Sequence, residues 1–355
     1  MASTPKPIRI GIVGAGGIAG SHIGGYKLVP GAELYAICDI NKERAEAVAK
    51  EHGFQKVFTD YNEMLKLKEI DAVSVCTPNA FHMGPTVAAL KAGKHVLCEK
   101  PIALNAKEGA AMVAAAKKAK RKLQIGLHFH FEAKTQALKR FITDGALGKM
   151  YYTRVQALRV RGIPTWGVFT NKKLQGGGPL VDIGVHMLYT ALYLLGFPKP
   201  VSVSGQTFNY IGTSPGHMGF WGSWDHKKYE IEDTAVGFVR FEGGHVLVLE
   251  TSFCANIEKE FWNVQIFGDK GGCNYDPCTV TREENGSMST AALTFPKLPE
   301  PHKAEVAAFV ESIRENKPVR VSGEDALCVQ KILDGIYASA AAGKEVKVTR
   351  VQNKF

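Results

Sequence analysis

The sequence predicts an α/β protein in two domains: a parallel sheet covered by helices over residues 1–128, and an α+β domain with an open, mostly antiparallel sheet over residues 129–355. Three observations predict it. The 355 residues exceed what one hydrophobic core ordinarily supports. Up to about Phe131, short β-branched runs alternate with helical ones, the order of a parallel sheet. Beyond that point strand follows strand with polar and apolar residues alternating, as in a sheet with one solvated face.

In the first domain "IRIGIVG", "AELYAICD", "DAVSVCTP", "HVLCEKP" and "QIGLHF" read as strands, apolar enough on both sides to be covered on both faces. A helix, "AKTQALKRFITDG", opens the second domain. The strands "YYTRVQALRV", "VSVSGQTFNYIG", "EDTAVGFVRF", "GHVLVLETSF" and "FWNVQIFG" follow, with "GGGPLVDIGVHMLYTALYLLG" (176–196) as a buried helix between the first two. The last helices, "KAEVAAFVESIREN" and "EDALCVQKILDGIYASAAAG", are expected to pack back near the first domain. No internal repeat is visible.

Composition excludes several classes. With 45% hydrophobic and 22% charged residues and no low-complexity tract, the chain is neither disordered nor fibrous. Its most apolar stretch, Met187–Leu195, falls short of the ~20 residues a membrane span needs, so no membrane partner is expected. The apolar N-terminal run lacks a basic flank and is rich in glycine, unlike a secretory signal. Seven scattered cysteines without a C-x-x-C pair fit a reducing cytoplasm. The net charge of +10 raises the question of nucleic acid. The one dense basic cluster, "KKAKRK" (117–122), falls at the end of a helix, where cations complement the helix dipole, so no nucleic-acid partner is expected. Basic charge instead favours encounter with an anionic cofactor or sugar phosphate.

The chemistry begins at Gly14-Ala15-Gly16-Gly17-Ile18-Ala19, directly after a strand and opening a helix. Glycine at 14 suits the tight turn, glycine at 16 lets backbone approach a pyrophosphate, and the small Ala19 permits close helix–strand packing. The helix start supplies N–H donors and a positive dipole end. With Asp39 ending the second strand, placed to bind ribose hydroxyls, the pattern predicts a Rossmann dinucleotide site. A 2′-phosphate beside Asp39 would meet repulsion of about 1 kcal/mol in water and about 4 at an effective dielectric of 20, so NAD is expected over NADP. Lys42 or Arg44, just beyond, would compensate in part.

Two further strand ends belong to the same ligand, because open parallel sheets bind at the carboxyl ends of their strands. In "TPNAFH", Thr77, Pro78, Asn79 and His82 suit the cofactor's central ribose or phosphates, although Asn79 alone also reads as a helix cap. In "CEKP", Glu99 and Lys100 put a cation where a nicotinamide would lie. In the second domain, Asp182 and His186 are the only Asp, Glu, Lys, Arg or His between Pro179 and Leu195. At i, i+4 they share one face of a helix. A structural hydrogen-bonded pair and a catalytic pair are both open at this point.

The segments "GIVGAGGIAGSH", "TPNAFH", "VLCEKPIAL", "GGGPLVDIGVHMLYTALYLLG", "EDTAVGFVRFEGG" and "ALCVQKILDGIYASAAAGKEVKV" together resemble the glucose–fructose oxidoreductase, inositol dehydrogenase and rhizopine catabolism family, Gfo/Idh/MocA, over nearly the whole chain. The resemblance implies that Lys100, Asp182 and His186 are the catalytic group and that the second domain's sheet serves oligomerisation, so a homo-oligomer is expected. It implies oxidation of a secondary alcohol with hydride passing to nicotinamide. His186 is the expected base, Asp182 holds the substrate or orients the imidazole, and Lys100 stabilises the alkoxide.

One departure is "GLHFHFEAK", where many relatives carry an arginine or aromatic residue. His128 and His130 there are expected to alter substrate contacts. No metal is expected, since no short ligand spacing joins these histidines to Asp182. The loop "RVRGIPTWGVFTNKKLQGGG" adds Arg161, Trp166 and Lys173, which suit a polyhydroxylated ring and equally suit loop packing. The expected substrate is a glucose-like pyranoside, free or as a glycoside, oxidised at a ring secondary hydroxyl with C3 favoured and NAD in some cases tightly retained. A cyclitol dehydrogenase, an NAD-dependent glycosidase and a silent sugar sensor are the alternatives, the last opposed by the presence of Lys100, Asp182 and His186.

Overall fold

Ile10, Ile12, Val73, Val75 and Leu97 have no water on either side, because their strands occupy the middle of a parallel sheet. In the computed structural model, which describes residues 6–348, this sheet is built by β1 (Ile8–Val13), β2 (Ala32–Cys38), β3 (Lys56–Phe58), β4 (Ala72–Val75), β5 (His95–Glu99) and β6 (Leu123–Gly126). All its pairings are parallel, in the order β3-β2-β1-β4-β5-β6. The order reverses between β1 and β4, the place where such sheets bind ligands. Helices α1 (Gly17–Lys27), α2 (Lys42–His52), α3 (Tyr61–Leu65), α4 (Met83–Lys91) and α5 (Ala106–Ala119) connect the strands. The three-residue β3 is absent from the strands read off the sequence, being too short to show periodicity. The basic cluster closes α5: Lys120 caps it in the left-handed conformation at φ 52.

The second sheet is introduced by α6 (Ala133–Thr143) and β7 (Met150–Leu158). A short α7 (Lys172–Gln175), a π-helical turn (Leu180–Gly184) and α8 (Val185–Leu195) lead to β8 (Pro200–Phe208), β9 (Thr234–Phe241), β10 (Val246–Ser252) and β11 (Phe261–Gly268). Strands β12 (Gly271–Asn274), β13 (Thr279–Glu284) and β14 (Ser287–Ala292) extend one edge, and after α9 (Pro301–Arg314) and α10 (Gly323–Ala342) the short β15 (Val346–Lys347) closes the other. Within the nine-stranded order β14-β13-β12-β11-β7-β10-β9-β8-β15, only β7 and β10 run parallel.

The chain divides into two compact units, Met1–His128 with Pro299–Leu327, and Phe129–Leu298 with Cys328–Phe355. Helix α9 thus belongs with the parallel sheet. Its Val306, Phe309 and Val310 share a core with Ile10, Ile12, Ile23 and Tyr26.

Segment 176–196 departs from the single helix expected. Bends at 176–178 precede the π-helical turn, where the glycines lie close to other parts of the chain: a Cβ on Gly178 would stand 2.0 Å from the backbone Glu232 O, and one on Gly177 2.0 Å from the Tyr337 side-chain Oη. Taken across those bends, the run Lys172–Leu195 is longer than Met187–Leu195. It is long and apolar enough to cross a membrane, yet 89% of its most apolar stretch is buried inside the protein, as in a core helix.

Candidate functional site

The glycine turn after β1 separates two requirements. Gly14 sits at φ 94, and a Cβ there would lie 2.6 Å from Cys76 O, so the fold itself demands glycine. A Cβ on Gly16 or Gly17 would meet no protein atom within 4 Å. The space those two glycines leave is at the start of α1, which has no acidic residue in its first turn and no side-chain cap. Open N–H donors, a positive dipole end and room beside the backbone fit a pyrophosphate. Ile18 and the buried Ala19 continue the turn into α1, with Ala19 N–H donating to Gly16 O.

Asp39 is buried just after β2, and both its oxygens are held: Oδ2 accepts the Ala15 N–H and Oδ1 the Asn41 N–H, each at 2.8 Å. Arg44 stands 3.9 Å from Oδ2. The residues present therefore fit a dinucleotide whose ribose meets a fixed carboxylate.

At the next strand end, Thr77 Oγ1 donates to Phe81 O, Pro78 precedes a single 3₁₀ turn, and Asn79 is buried as its first residue. His82 is fully buried, with Nδ1 2.8 Å from Pro101 O and Nε2 2.9 Å from Thr77 O. Burial pulls its pKa down. The neutral imidazole carries one N–H, so it donates to one of these two backbone carbonyls and stands against the other.

Lys100, half-buried, follows Glu99, whose Oε2 accepts the Lys100 backbone N–H at 3.2 Å. The Glu99 Oε1 lies 2.8 Å from His22 Nε2, while His22 Nδ1 reaches Ser74 Oγ, which also meets Tyr26 Oη. Glycine at 126 makes this possible, since a Cβ there would stand 2.8 Å from Glu99 Oε1. Glu305 from α9 completes the cluster, with ligand-type atoms of the three residues within 4.8 Å of one another. The 2.8 Å contact is that of a hydrogen bond, shorter than the roughly 3.3 Å between neighbouring donors on a tetrahedral zinc. Burial opposes ionisation of Glu99, but the His22 hydrogen bond and charge, with Lys100, hold its carboxyl below the usual range. Burial likewise opposes charge on His22, and Cys76 and Glu99 outweigh it. Among the described residues neither carboxyl oxygen of Glu305 has a hydrogen-bond partner, and burial raises its pKa well above normal. His128, at the end of this unit, stacks on His302 at 3.8 Å, and burial together with that neighbour pushes it down to about 3.

In the second unit, Asp182 lies in the π-helical turn and His186 in the first turn of α8, only 5% and 6% exposed. The His186 ring lies 5.0 Å from Phe129, which stacks at 5.9 Å on Trp262. Arg159, at the end of β7, places its guanidinium 5.4 Å from the Trp262 ring and 4.4 Å from the Trp221 ring. Burial lowers the Arg159 pKa while the Asp182 and Glu260 carboxylates act against it.

The other expected substrate contacts are placed differently. Arg161 donates to Val160 O, Ala255 O and Asn256 Oδ1, so its guanidinium pins two loops together. His130 is buried, its Nδ1 3.1 Å from Tyr189 Oη and its ring beside Phe131 and Tyr193. Lys173 is exposed on α7, and Trp166 is 55% exposed beside Trp221.

Sequence reasoning missed His22, Glu305, Phe129, Arg159, Trp221 and Trp262. Glu305 left a readable signal, a lone acid on the helix face carrying Val306, Phe309 and Val310. The aromatic residues left none, because distant segments bring them together.

Two family models match, described as "Oxidoreductase family, NAD-binding Rossmann fold" over residues 8–127 and "Oxidoreductase family, C-terminal alpha/beta domain" over residues 139–348. The D-glucoside 3-dehydrogenase of Escherichia coli K12 is 40% identical over 350 residues, 98% of this chain and 99% of that protein. The myo-inositol 2-dehydrogenase of Thermotoga maritima is 28% identical across 90% of this chain and 92% of its own. Among solved structures, the aldose-aldose oxidoreductase of Caulobacter crescentus, complexed with glycerol, superposes with a TM-score of 0.80 at 25% identity, covering 96% of this chain and 100% of that one. Cradle, strand ends and matched models agree across both halves: the chain belongs to the Gfo/Idh/MocA family of NAD-binding oxidoreductases.

Proposed function

We propose that this chain is an NAD-dependent dehydrogenase of glucose-type sugars and glycosides, oxidising a ring secondary hydroxyl with C3 favoured. The observation that carries the reading is the Asp182 and His186 pair, buried beside aromatic rings and the Arg159 guanidinium in a chain that also carries an NAD cradle. The 40% identity to a protein named for oxidation of D-glucosides at carbon 3 supports the choice of substrate and position.

Bound NAD⁺ supplies the hydride acceptor. The residues of the chain do the rest. His186 takes the hydroxyl proton on a ring nitrogen as the carbon–hydrogen bond gives up its hydride and the carbonyl forms. Asp182 holds the sugar or fixes the imidazole, and the Lys100 ammonium offsets charge developing on the oxygen. Gly16, Gly17 and the start of α1 hold the phosphates, with Asp39 on the adenosine ribose.

Self-association is part of the proposal, supported by Tyr151, Val201, Val236 and Phe267, exposed apolar residues on four strands of the open sheet. A reducing, cytoplasmic location is supported by the seven cysteines, five of them buried. Tight retention of the cofactor is testable by the nucleotide absorbance of the purified protein.

The test incubates the enzyme with NAD⁺ and glucose, methyl glucosides or inositols, following NADH while NMR identifies the product. A 3-keto glucoside is expected. A keto group elsewhere overturns the regiochemistry, and activity confined to inositols overturns the pyranoside. Release of free sugar and aglycone without net reduction would favour the glycosidase.

A further inference from the structure

A row of rings and one guanidinium leads outward from the buried His186. It passes through Phe129, Trp262 and Arg159 to Trp221, and Trp166 stands 5.5 Å beyond with its ring tilted by 39°. Exposure rises along it, from 6% at His186 to 40% at Trp221 and 55% at Trp166. Arg159 is the joint: it lies within the field of Asp182 and also covers one face of Trp221, which is 40% exposed.

The outer rings are held in place. Thr165 Oγ1 donates to Trp221 O at 2.7 Å, and Phe220 N–H donates to Arg161 O at 2.9 Å, so the loops carrying Trp166 and Trp221 are stapled to each other. Arg159 N–H donates to Ser252 O, and Ala255 N–H donates to Arg159 O, which fixes the joint against the end of β10. Rigid aromatic faces of this kind bind flat partners with little loss of side-chain freedom.

We propose that Trp221 and Trp166 form a subsite that stacks the ring of a glycoside's aglycone, with Arg159 linking it to the residues that handle the oxidised sugar. The proposal rests on the glycoside reading above. Its ligand chemistry is a ring with an apolar face, whether an aryl group or the C–H face of a second pyranose. Because this ring is remote from the reacting hydroxyl, its binding acts on KM more than on kcat.

The test compares methyl glucoside, which has no aglycone ring, with 4-nitrophenyl glucoside and cellobiose, in the intact enzyme and in Trp221→Ala, Trp166→Ala and Trp221→Phe. A lower KM for one or both ring-bearing substrates is expected in the intact enzyme. Trp221→Ala should raise that KM about threefold to tenfold more than it raises that of methyl glucoside, and Trp221→Phe should restore most of the difference. The aryl and disaccharide arms separate the two ring types. Intrinsic tryptophan fluorescence should respond to the favoured ring substrate more than to methyl glucoside, and that response should weaken in Trp221→Phe, where Trp166 remains the reporter. Equal KM values across all substrates, or a ring preference that survives Trp221→Ala, overturn the subsite. Loss of self-association in Trp221→Ala at unchanged ring preference would assign the wall to a second copy of the chain. If no glucoside is oxidised by the intact enzyme, it is the glycoside reading that fails.

Discussion

His22 Nε2 lies 2.8 Å from Glu99 Oε1, both out of reach of water, and the backbone of the same glutamate's neighbour leads straight to the Lys100 ammonium. With Glu305 beside them, the group holds two carboxyls and one imidazole. The arrangement that avoids uncompensated charge is an ionised Glu99, a cationic His22 and a protonated Glu305.

That assignment has a measurable sign. A carboxyl whose folded pKa is raised keeps its proton where the unfolded chain has lost it. Its contribution to stability is therefore full below the ordinary carboxyl range and is lost as pH rises towards the folded pKa. Glu305→Gln removes this dependence. Urea unfolding of both proteins from pH 5 to 8 should show the variant gaining on the parent by up to about 1.4 kcal/mol per pH unit. Parallel curves would mean that Glu305 is ionised in the fold.

Loss of a reacting group should separate chemistry from cofactor binding. Lys100→Ala and His186→Ala are each expected to lower kcat by about 10²-fold or more, with NAD affinity within a few-fold of the parent by calorimetric titration. A variant retaining near-full turnover would remove that residue from the mechanism.

Cofactor choice should follow Asp39, whose oxygens are pinned by Ala15 and Asn41. NAD is expected to bind at least tenfold more tightly than NADP, and Asp39→Asn should narrow the difference, read by titration with each nucleotide. Equal binding of the two by the parent protein would contradict the role given to the carboxylate.

Two glycines of one turn and helix should respond oppositely to alanine. Gly14→Ala forces a left-handed φ and a clash with Cys76 O, and is expected to cost about 1–3 kcal/mol in thermal or urea unfolding. Gly20→Ala, in α1 with nothing within 4 Å, should stabilise by about 0.5–1 kcal/mol. A neutral Gly14→Ala would show that the turn relaxes freely.

Much of this was written in local pattern. The β1 turn into α1, Asp39 and the two strand ends could be read because each is a contiguous signal with its own backbone requirement. What escaped depends on distance in sequence. Strand β3 is too short for periodicity, and the bend before the π-helical turn brings Gly178 against Glu232, which is far away in sequence. His82 and Arg161 carry polar groups that suit a ligand equally well, and only their backbone partners reveal what they hold.

The membership of α9 in the first unit bears on how the protein is made. A ribosome releases residues 1–128 first, then the nine-stranded sheet almost entire, and only afterwards Val306, Phe309 and Val310. Until then Ile23 and Tyr26 lack the apolar surface that covers them in the finished molecule, so the nucleotide-binding half emerges ahead of the nine-stranded sheet yet completes its core only after most of that sheet has been made.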